Sequence, residues 1–530
     1  MCRGILAPVR WPRWPTRPCA PPRLPRRQTV AQRLSTGSGA KREAARSSSI
    51  MIMGFAVVVF GAGLGLGLKR ASASKPEGLL ADVEYASRHV TQRAAKEIEA
   101  ALGEDAVSFD EEDIETHGFS DWSSINSPGR AVAIVYPRTT QDVAKVASIC
   151  HEHRIPIVPY GAGSSVEGNF ASPYGGIIID FTYMDSILAF HPDDMDVVVQ
   201  PGVNWQNLNK AIEHEKLFLP LDPSPTATIG GMVSTNCSGT NAFRYGTMKD
   251  WVINVTAVLA DGRVIKTRRR PRKTSAGYNL TSLFVGAEGT LGIITEITLK
   301  LAVIPSETSV AVVAFNTISE AASAASKIIR SGVQLAAMEL MDDVQMRIVN
   351  QHGSEHVRNM GWDEKPALFL KFSGPSKEGV QADIAQTRDL IQSCQPIRYV
   401  FAKNKDEEAQ LWAARKEALW TMTSIKPEGH AIWSTDVAVP ISRLAEIIDV
   451  SKKDGESLGV FTSIVGHVGD GNFHEALMYD AKNSTQKAAV EGAVHKMAAR
   501  ALEMEGTVSG EHAIGMGKMV SNIQDSAVPS

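Results

Sequence analysis

Cysteine is scarce in this chain: five in 530 residues, at Cys2, Cys19, Cys150, Cys237 and Cys394, with no CxxC pair. That spacing excludes a disulfide framework and a cysteine-ligated zinc site. Charge of one sign is lacking as well. The 55 basic and 58 acidic residues leave a net charge of −3, which gives no reason to expect nucleic acid as a partner. No HExxH occurs, so the helical zinc-peptidase arrangement is out, and no GxGxxG opens a helix in the Rossmann manner. What remains is an ordinary globular composition, 43% apolar and 21% charged, on a chain too long for one core; two or more domains are expected.

The N-terminus differs from the rest. Residues 1–49 are rich in arginine and serine and hold a single acid, Glu43. That is the composition of a mitochondrial targeting presequence, although the prolines around 8–25 interrupt an amphipathic helix. Residues 50–68 are uncharged and apolar and end at Lys69-Arg70. They are just long enough to span a bilayer as a helix, and their glycines suit a helix–helix contact. The order of presequence and apolar segment places the body in the intermembrane space, anchored to the inner membrane. Residues 69–125 read as a linker with N-terminal helices: a helix over 86–102, then an irregular acidic entry over 105–125.

From Ala131 the pattern becomes regular. Ala131–Pro137 reads as a buried strand, Thr139–His153 as a helix, and Ile155–Pro159 as a second strand running into Gly161-Ala162-Gly163-Ser164-Ser165-Val166-Glu167-Gly168-Asn169. A loop with so many accessible backbone amides can cradle phosphates. Similar loops recur at Pro223–Gly231, Ser234–Gly239, Arg244–Gly246, Ser275–Leu280 and Phe284–Ile293, interleaved with strands such as Val252–Leu259. Together they suit a long, phosphate-bearing ligand held mainly by backbone. After Leu301 strands at 310–315, 336–341, 367–372 and 397–401 alternate with helices at 318–331 and 379–392, which predicts an α+β cap, an antiparallel sheet with helices on one face.

The sharpest local signal is Gly466-His467-Val468-Gly469-Asp470-Gly471-Asn472-Phe473-His474. Asp470-Gly471 is a favoured pair for a two-residue type I′ hairpin loop. Counting outward sets His467 opposite His474 on one face, with Cβ atoms roughly 4.5–5.5 Å apart. Two imidazoles then converge as metal ligands should. Ser509-Gly510-Glu511-His512 offers a carboxylate and a further histidine. A lone strand histidine is ordinarily a core or surface residue; the opposed pair with a Glu-His dipeptide reverses that reading. His467, His474 and Glu511 make an open three-ligand site for a divalent metal, with zinc first and manganese or iron also suited.

Taken in order, these motifs resemble the vanillyl-alcohol-oxidase/p-cresol-methylhydroxylase type of FAD-binding fold, and within it the D-lactate and D-2-hydroxyacid dehydrogenase branch. The resemblance runs over roughly residues 100–518. It implies an α+β architecture: a two-subdomain FAD-binding domain over 126–302 and a substrate cap with the metal site over 303–530. It implies that Pro159, Tyr160, Gly161, Ala162, Gly163, Ser164, Ser165 and Gly168 wrap the FAD pyrophosphate. Pro223, Ser224, Thr228, Gly230, Gly231, Asn236, Gly239 and Gly246 would line the flavin, and Gly289, Ile293 and Ile294 would complete the cleft. The first glycine loop has no histidine, so FAD is expected to be non-covalent. By the same resemblance His512 is the general base and Arg415 binds the substrate carboxylate, although on its own Arg415 reads as one member of a solvated charged helix. The implied reaction is oxidation of D-lactate to pyruvate with cytochrome c as acceptor.

Alternatives stay open at this point. Two histidines and a carboxylate also serve non-haem iron oxygenases, against which the flavin loops count. D-2-hydroxyglutarate is the rival substrate. Arg268–Lys273 reads as a solvated basic loop, and Trp412, Trp420 and Trp433 as packing residues. Members of the branch usually carry glycine where this chain has Ala513, and they run on past the position of Lys518 into a segment that packs against the flavin. The segment 522–530 matches nothing expected there, so a truncated C-terminus and an inactive form are a further expectation.

Overall fold

The computed structural model describes residues 84–519. The presequence, the apolar segment 50–68 and the divergent C-terminus 522–530 lie outside them. No described helix is long and apolar enough to cross a membrane. The body opens with the expected helix, Arg88–Leu102. The entry segment is less irregular than expected: Glu111–His117 is a helix. Asp110 caps it, accepting from Asp113 N at 3.0 Å, and Glu111, Glu112 and Asp113 place negative charge in its first turn.

Two sheets follow. The first runs in the order Val107–Ser108, Ala133–Val135, Ile177–Asp180, Ile157–Tyr160, its last three strands parallel. Thr140–Glu152 crosses between two of them. Its start is fixed by a capping box in which Thr139 and Asp142 bond each other's backbone N–H. The second sheet is antiparallel, in the order Ile187–His191, Asp196–Val199, Ile293–Lys300, Val252–Val258, Val264–Lys266. Gly262, at φ +85°, makes the Asp261-Gly262 turn between its last two strands.

The cap is one antiparallel sheet. Its main path runs Arg398–Phe401, Glu307–Ala314, Ala367–Gly374, Leu335–Met341, Phe461–Gly466, Asn472–Asp480, His430–Ser434. Helices cover both of its faces rather than one. Leu368, Leu370 and Phe372 face the helices Ile318–Ser331 and Lys377–Ile391. Ala367 and Phe369 face Asp343–His352 and Lys405–Lys416. The reason is legible in the strand itself: Ala367-Leu368-Phe369-Leu370 is continuously apolar, as a strand buried on both sides must be.

Candidate active site

The hairpin of His467 and His474 forms, but not with the expected loop. Val465 pairs with His474, and Asn472 N donates to His467 O at 3.3 Å, closing a four-residue loop over 468–471. Asp470 N also bonds His467 O, at 2.9 Å, and only Gly471 of the Asp-Gly pair has positive φ, +76°. A type I′ loop needs positive φ at both central residues; a loop built around a type I turn does not. His467 therefore sits across from Asn472, not His474.

The imidazoles meet all the same. His467 stands where the hairpin turns, and its ring centroid is 5.4 Å from that of His474, edge on. Their Nε2 atoms lie 2.9 and 3.2 Å from one oxygen, Glu511 Oε1. Each ring is set by its other nitrogen: His474 Nδ1 faces Thr435 O at 3.0 Å, and His467 Nδ1 faces Glu339 Oε1 at 2.9 Å. Nδ1–H donation to those oxygens leaves both Nε2 lone pairs aimed at a carboxylate. Such a donor set can take a cation at its centre, and outer partners of this kind are what orient metal-binding histidines. The three residues fit a divalent metal. Without one, burial alone would lower His467, but Glu339 and Glu511 outweigh it and raise it well above its ordinary value. Burial would likewise raise Glu511; His467 and His474 hold it well below the usual carboxylate range.

Glu511 owes its place to two partners. Its other oxygen, Oε2, accepts from Ser238 Oγ and from Gly239 N at 3.0 Å, so a loop of the first half reaches the His467–His474–Glu511 cluster. Its backbone is held by Asp436. This fully buried carboxylate accepts from Glu511 N, from His512 N at 2.8 Å, from Asn472 Nδ2 at 2.9 Å and from Lys518 Nζ at 2.8 Å. Burial would raise Asp436, but Lys518 and the neighbouring histidines keep it well below the carboxylate range.

His512 stacks on His474, with centroids 4.6 Å apart and planes 15° apart. Its Nδ1 is buried and has no hydrogen-bond partner among the described residues, with Asp436 Oδ2 at 4.0 Å. Burial lowers its pKa to about 4 against the pull of Asp436, so the ring is neutral at pH 7, the form able to accept a proton. Arg415 is not on a solvated face: its side chain is 11% exposed, and Nε and one terminal nitrogen bond Glu339 Oε2 at 3.0 and 2.8 Å. Glu339 thus joins Arg415 to His467. Ala513, next to His512, has φ +63°.

The glycine loops gather in part. A Cβ on Gly161 would lie 2.6 Å from Thr228 Oγ1, a buried hydroxyl with no hydrogen-bond partner among the described residues. That hydroxyl beside a loop of small residues, Gly161-Ala162-Gly163-Ser164, is a cradle that fits a phosphate-bearing cofactor. Gly231 also borders Thr228, and Gly289 packs on Pro159. Gly163 packs on the Tyr160 hydroxyl, and Gly168 lies beside Ile125 and Met516. Ser165 bonds Asn169, which bonds Glu288, and Glu288 accepts from Ile514 N and Gly515 N; the first glycine loop is thereby tied to the turn after His512.

The remaining residues of these loops have the following neighbours within the fold. Gly230 packs on Pro201, Gly246 on Asp250 and Gly239 on Asp222. Asn236, in a left-handed cap, accepts from Thr247 Oγ1 and Lys249 N. Ile293 and Ile294 are buried in the cores, and among the described residues no hydrogen bond joins Pro223, Ser224 or Gly246 to the Gly161 loop. Sequence reasoning missed Glu339 and Asp436. The first is a lone acid in an apolar strand, the second the lone acid of Ser434–Pro440; a buried charge in such a run signals a partner brought from far along the chain.

A family model described as FAD binding domain matches residues 131–268, and one described as FAD linked oxidases, C-terminal domain, matches 304–521. The chain is 42% identical to the mitochondrial D-lactate dehydrogenase [cytochrome] of Kluyveromyces lactis, over 82% of this chain and 76% of that protein. It is 42% identical to the enzyme of the same name from Arabidopsis thaliana, over 78% and 72%. Among solved structures, p-cresol methylhydroxylase with substrate bound aligns at a TM-score of 0.65 with 17% identity, over 81% and 91% of the chains, which shows the shared fold.

Proposed function

The chain belongs to the FAD-linked oxidases, in the group that holds the mitochondrial D-lactate dehydrogenases, and from that membership we propose that it oxidises D-lactate to pyruvate. Electrons leave for cytochrome c. FAD, when bound, supplies the hydride acceptor. A divalent metal, zinc in the first instance, would when bound supply a Lewis acid that lowers the substrate hydroxyl pKa.

The observation that carries the reading is the convergence of His467, His474 and Glu511 beside Arg415 and His512, with Ser238 and Gly239 reaching them from the flavin half. His467, His474 and Glu511 would hold the metal. Arg415 takes the carboxylate of the 2-hydroxy acid, kept in place by Glu339. His512 takes the hydroxyl proton on a ring that burial keeps neutral. Asp436 positions that ring by gripping the backbone of both Glu511 and His512. The cradle of Gly161 and Thr228 holds the cofactor phosphates, without a covalent link.

The reading extends to organisation: presequence 1–49, inner-membrane anchor 50–68, FAD-binding domain 126–302, and cap with metal site from 303 onward, facing the intermembrane space. Its support is the composition of the N-terminal residues and the change of sheet near Leu301. The test is turnover of D-lactate and of D-2-hydroxyglutarate by the purified flavoprotein, read as reduction of cytochrome c. The expected result is a higher kcat/KM with D-lactate and loss of turnover in His512→Ala with flavin retained. A higher kcat/KM with D-2-hydroxyglutarate overturns the substrate, and a protein without flavin overturns the activity.

A further inference from the structure

Lys371 lies in the middle of the cap sheet, in the strand Ala367–Gly374. Its cross-strand partners are Val310 and Ala337, which are 2% and 0% exposed. An ammonium on an apolar, two-sided sheet is costly unless something pairs it. Among the described residues it has no hydrogen bond and no ion pair within 4.0 Å. The negative charge that acts on it most is Asp222, and that carboxylate is already engaged with Thr240 Oγ1 at 2.6 Å and Asn241 N at 2.9 Å. Burial lowers the Lys371 pKa from its ordinary value.

Its neighbours are those of the proposed substrate pocket. The Lys371 ammonium stands 5.5 Å from the centroid of Trp412, and Arg415 is one turn further along the same helix, on the same face. On the sheet Glu339 pairs with Phe369, so Lys371 is its diagonal neighbour on one face, roughly 7–8 Å away. Arg415 arrives with its charge already offset by Glu339. A second cation beside that pair is available to balance an incoming anion.

We propose that Lys371 is a specificity-determining residue of the substrate pocket, the cation that balances the carboxylate of the 2-hydroxy acid beside Arg415. The assignment rests on the reading of this pocket as a 2-hydroxy-acid site. It explains why an apolar strand carries an amine with no carboxylate of its own. A lysine kept only for packing would contribute through its methylenes, and methionine would replace it without effect on ligands.

The test uses the full-length, FAD-loaded protein and the variants Lys371→Met and Lys371→Arg. Pyruvate binding is read from the flavin absorbance change, and KM and kcat for D-lactate are measured with Tm. In Lys371→Met the expected result is pyruvate binding and KM weaker by about tenfold to a hundredfold, the range of a lost charge-assisted hydrogen bond. kcat falls less than KM rises, and Tm does not drop, because a half-buried ammonium without an ion-pair partner has been removed. Lys371→Arg restores part of the loss. Unchanged pyruvate binding in Lys371→Met overturns the proposal while the D-lactate reading stands. A wild-type protein that neither binds pyruvate nor turns over D-lactate overturns both. Should Lys371→Met fail to fold, Lys371→Gln carries the same comparison.

Discussion

Arg415 and His467 bond the same carboxylate. Glu339 gives one oxygen to His467 Nδ1 at 2.9 Å and the other to Arg415 at 2.8 and 3.0 Å. The proposed substrate cation and a proposed metal ligand are thereby fixed relative to each other by one buried side chain. Glu339 sits in the strand Leu335–Met341, which pairs with both Ala367–Gly374 and Phe461–Gly466. The geometry is set by the sheet, not by a loop.

Glu339→Gln keeps the shape and removes the charge. Metal affinity is expected to fall about tenfold to a hundredfold, as for other outer partners of ligating histidines, and KM for D-lactate to rise as Arg415 loses its anchor. Glu339→Ala leaves Arg415 unpaired and buried, at a cost of about 3–5 kcal/mol in stability. Metal analysis after dialysis, KM, and a urea midpoint check the three statements. Unchanged metal content in Glu339→Gln would sink the bridge.

Removing the proposed metal would separate two halves of the site. Among the described residues no hydrogen bond runs directly from His467, His474 or Glu511 to Gly161 or Thr228. Dialysis against a chelator is expected to abolish D-lactate turnover while the flavin spectrum persists, and added zinc to restore it. Full activity in metal-free protein would remove the Lewis-acid role.

The sequence carries local facts well and distant ones poorly. Ile318–Ser331 ends where its 3.6-residue period ends, because Thr317 and Glu320 box its start and Gly332 stops it in a left-handed turn. His467 and His474 were legible as a pair, although the register was two residues off, because loop length follows from φ values that Asp470 could have taken either way. Glu339 and Asp436 were not legible as site residues. Their partners lie 128 and 76 positions away, at His467 and His512, and no local pattern encodes such a contact. Arg415 is the intermediate case: its helix is charged, and only the fold shows that this turn faces inward.

Glu167 gives the stability a pH dependence. Burial raises its carboxyl to about 7 against the attraction of Lys518. A carboxyl whose folded pKa lies above its unfolded value contributes stability that is complete below about pH 4.5 and is lost as pH rises through about 7. Glu167→Gln removes that titration while keeping the backbone bonds from Met516 N and Gly517 N to its carbonyl. Urea midpoints at pH 5 and pH 8 are expected to differ less in Glu167→Gln than in the wild type, by at most about 3 kcal/mol in free energy. An equal difference in both proteins would assign the dependence to another group.

Ala513 is where the chain departs from glycine in the pattern it otherwise resembles, and its backbone there is left-handed, at φ +63°. An alanine in that conformation is strained by about 1–2 kcal/mol. The turn holds it through Ser509 Oγ, which donates to Ala513 O at 2.8 Å, and through Glu288, which binds the next two N–H groups. Glycine relieves the strain but loses more chain entropy on folding, so Ala513→Gly is expected to stabilise by about 0.5–1 kcal/mol. His512 precedes this position, and Asp436 already fixes its backbone, so kcat is expected to stay within a factor of about three, under 1 kcal/mol of barrier. Thermal unfolding and D-lactate turnover of Ala513→Gly against the wild type measure both. A lower Tm would show that the turn is not strained, and a large gain in kcat would show that alanine holds His512 away from its working position.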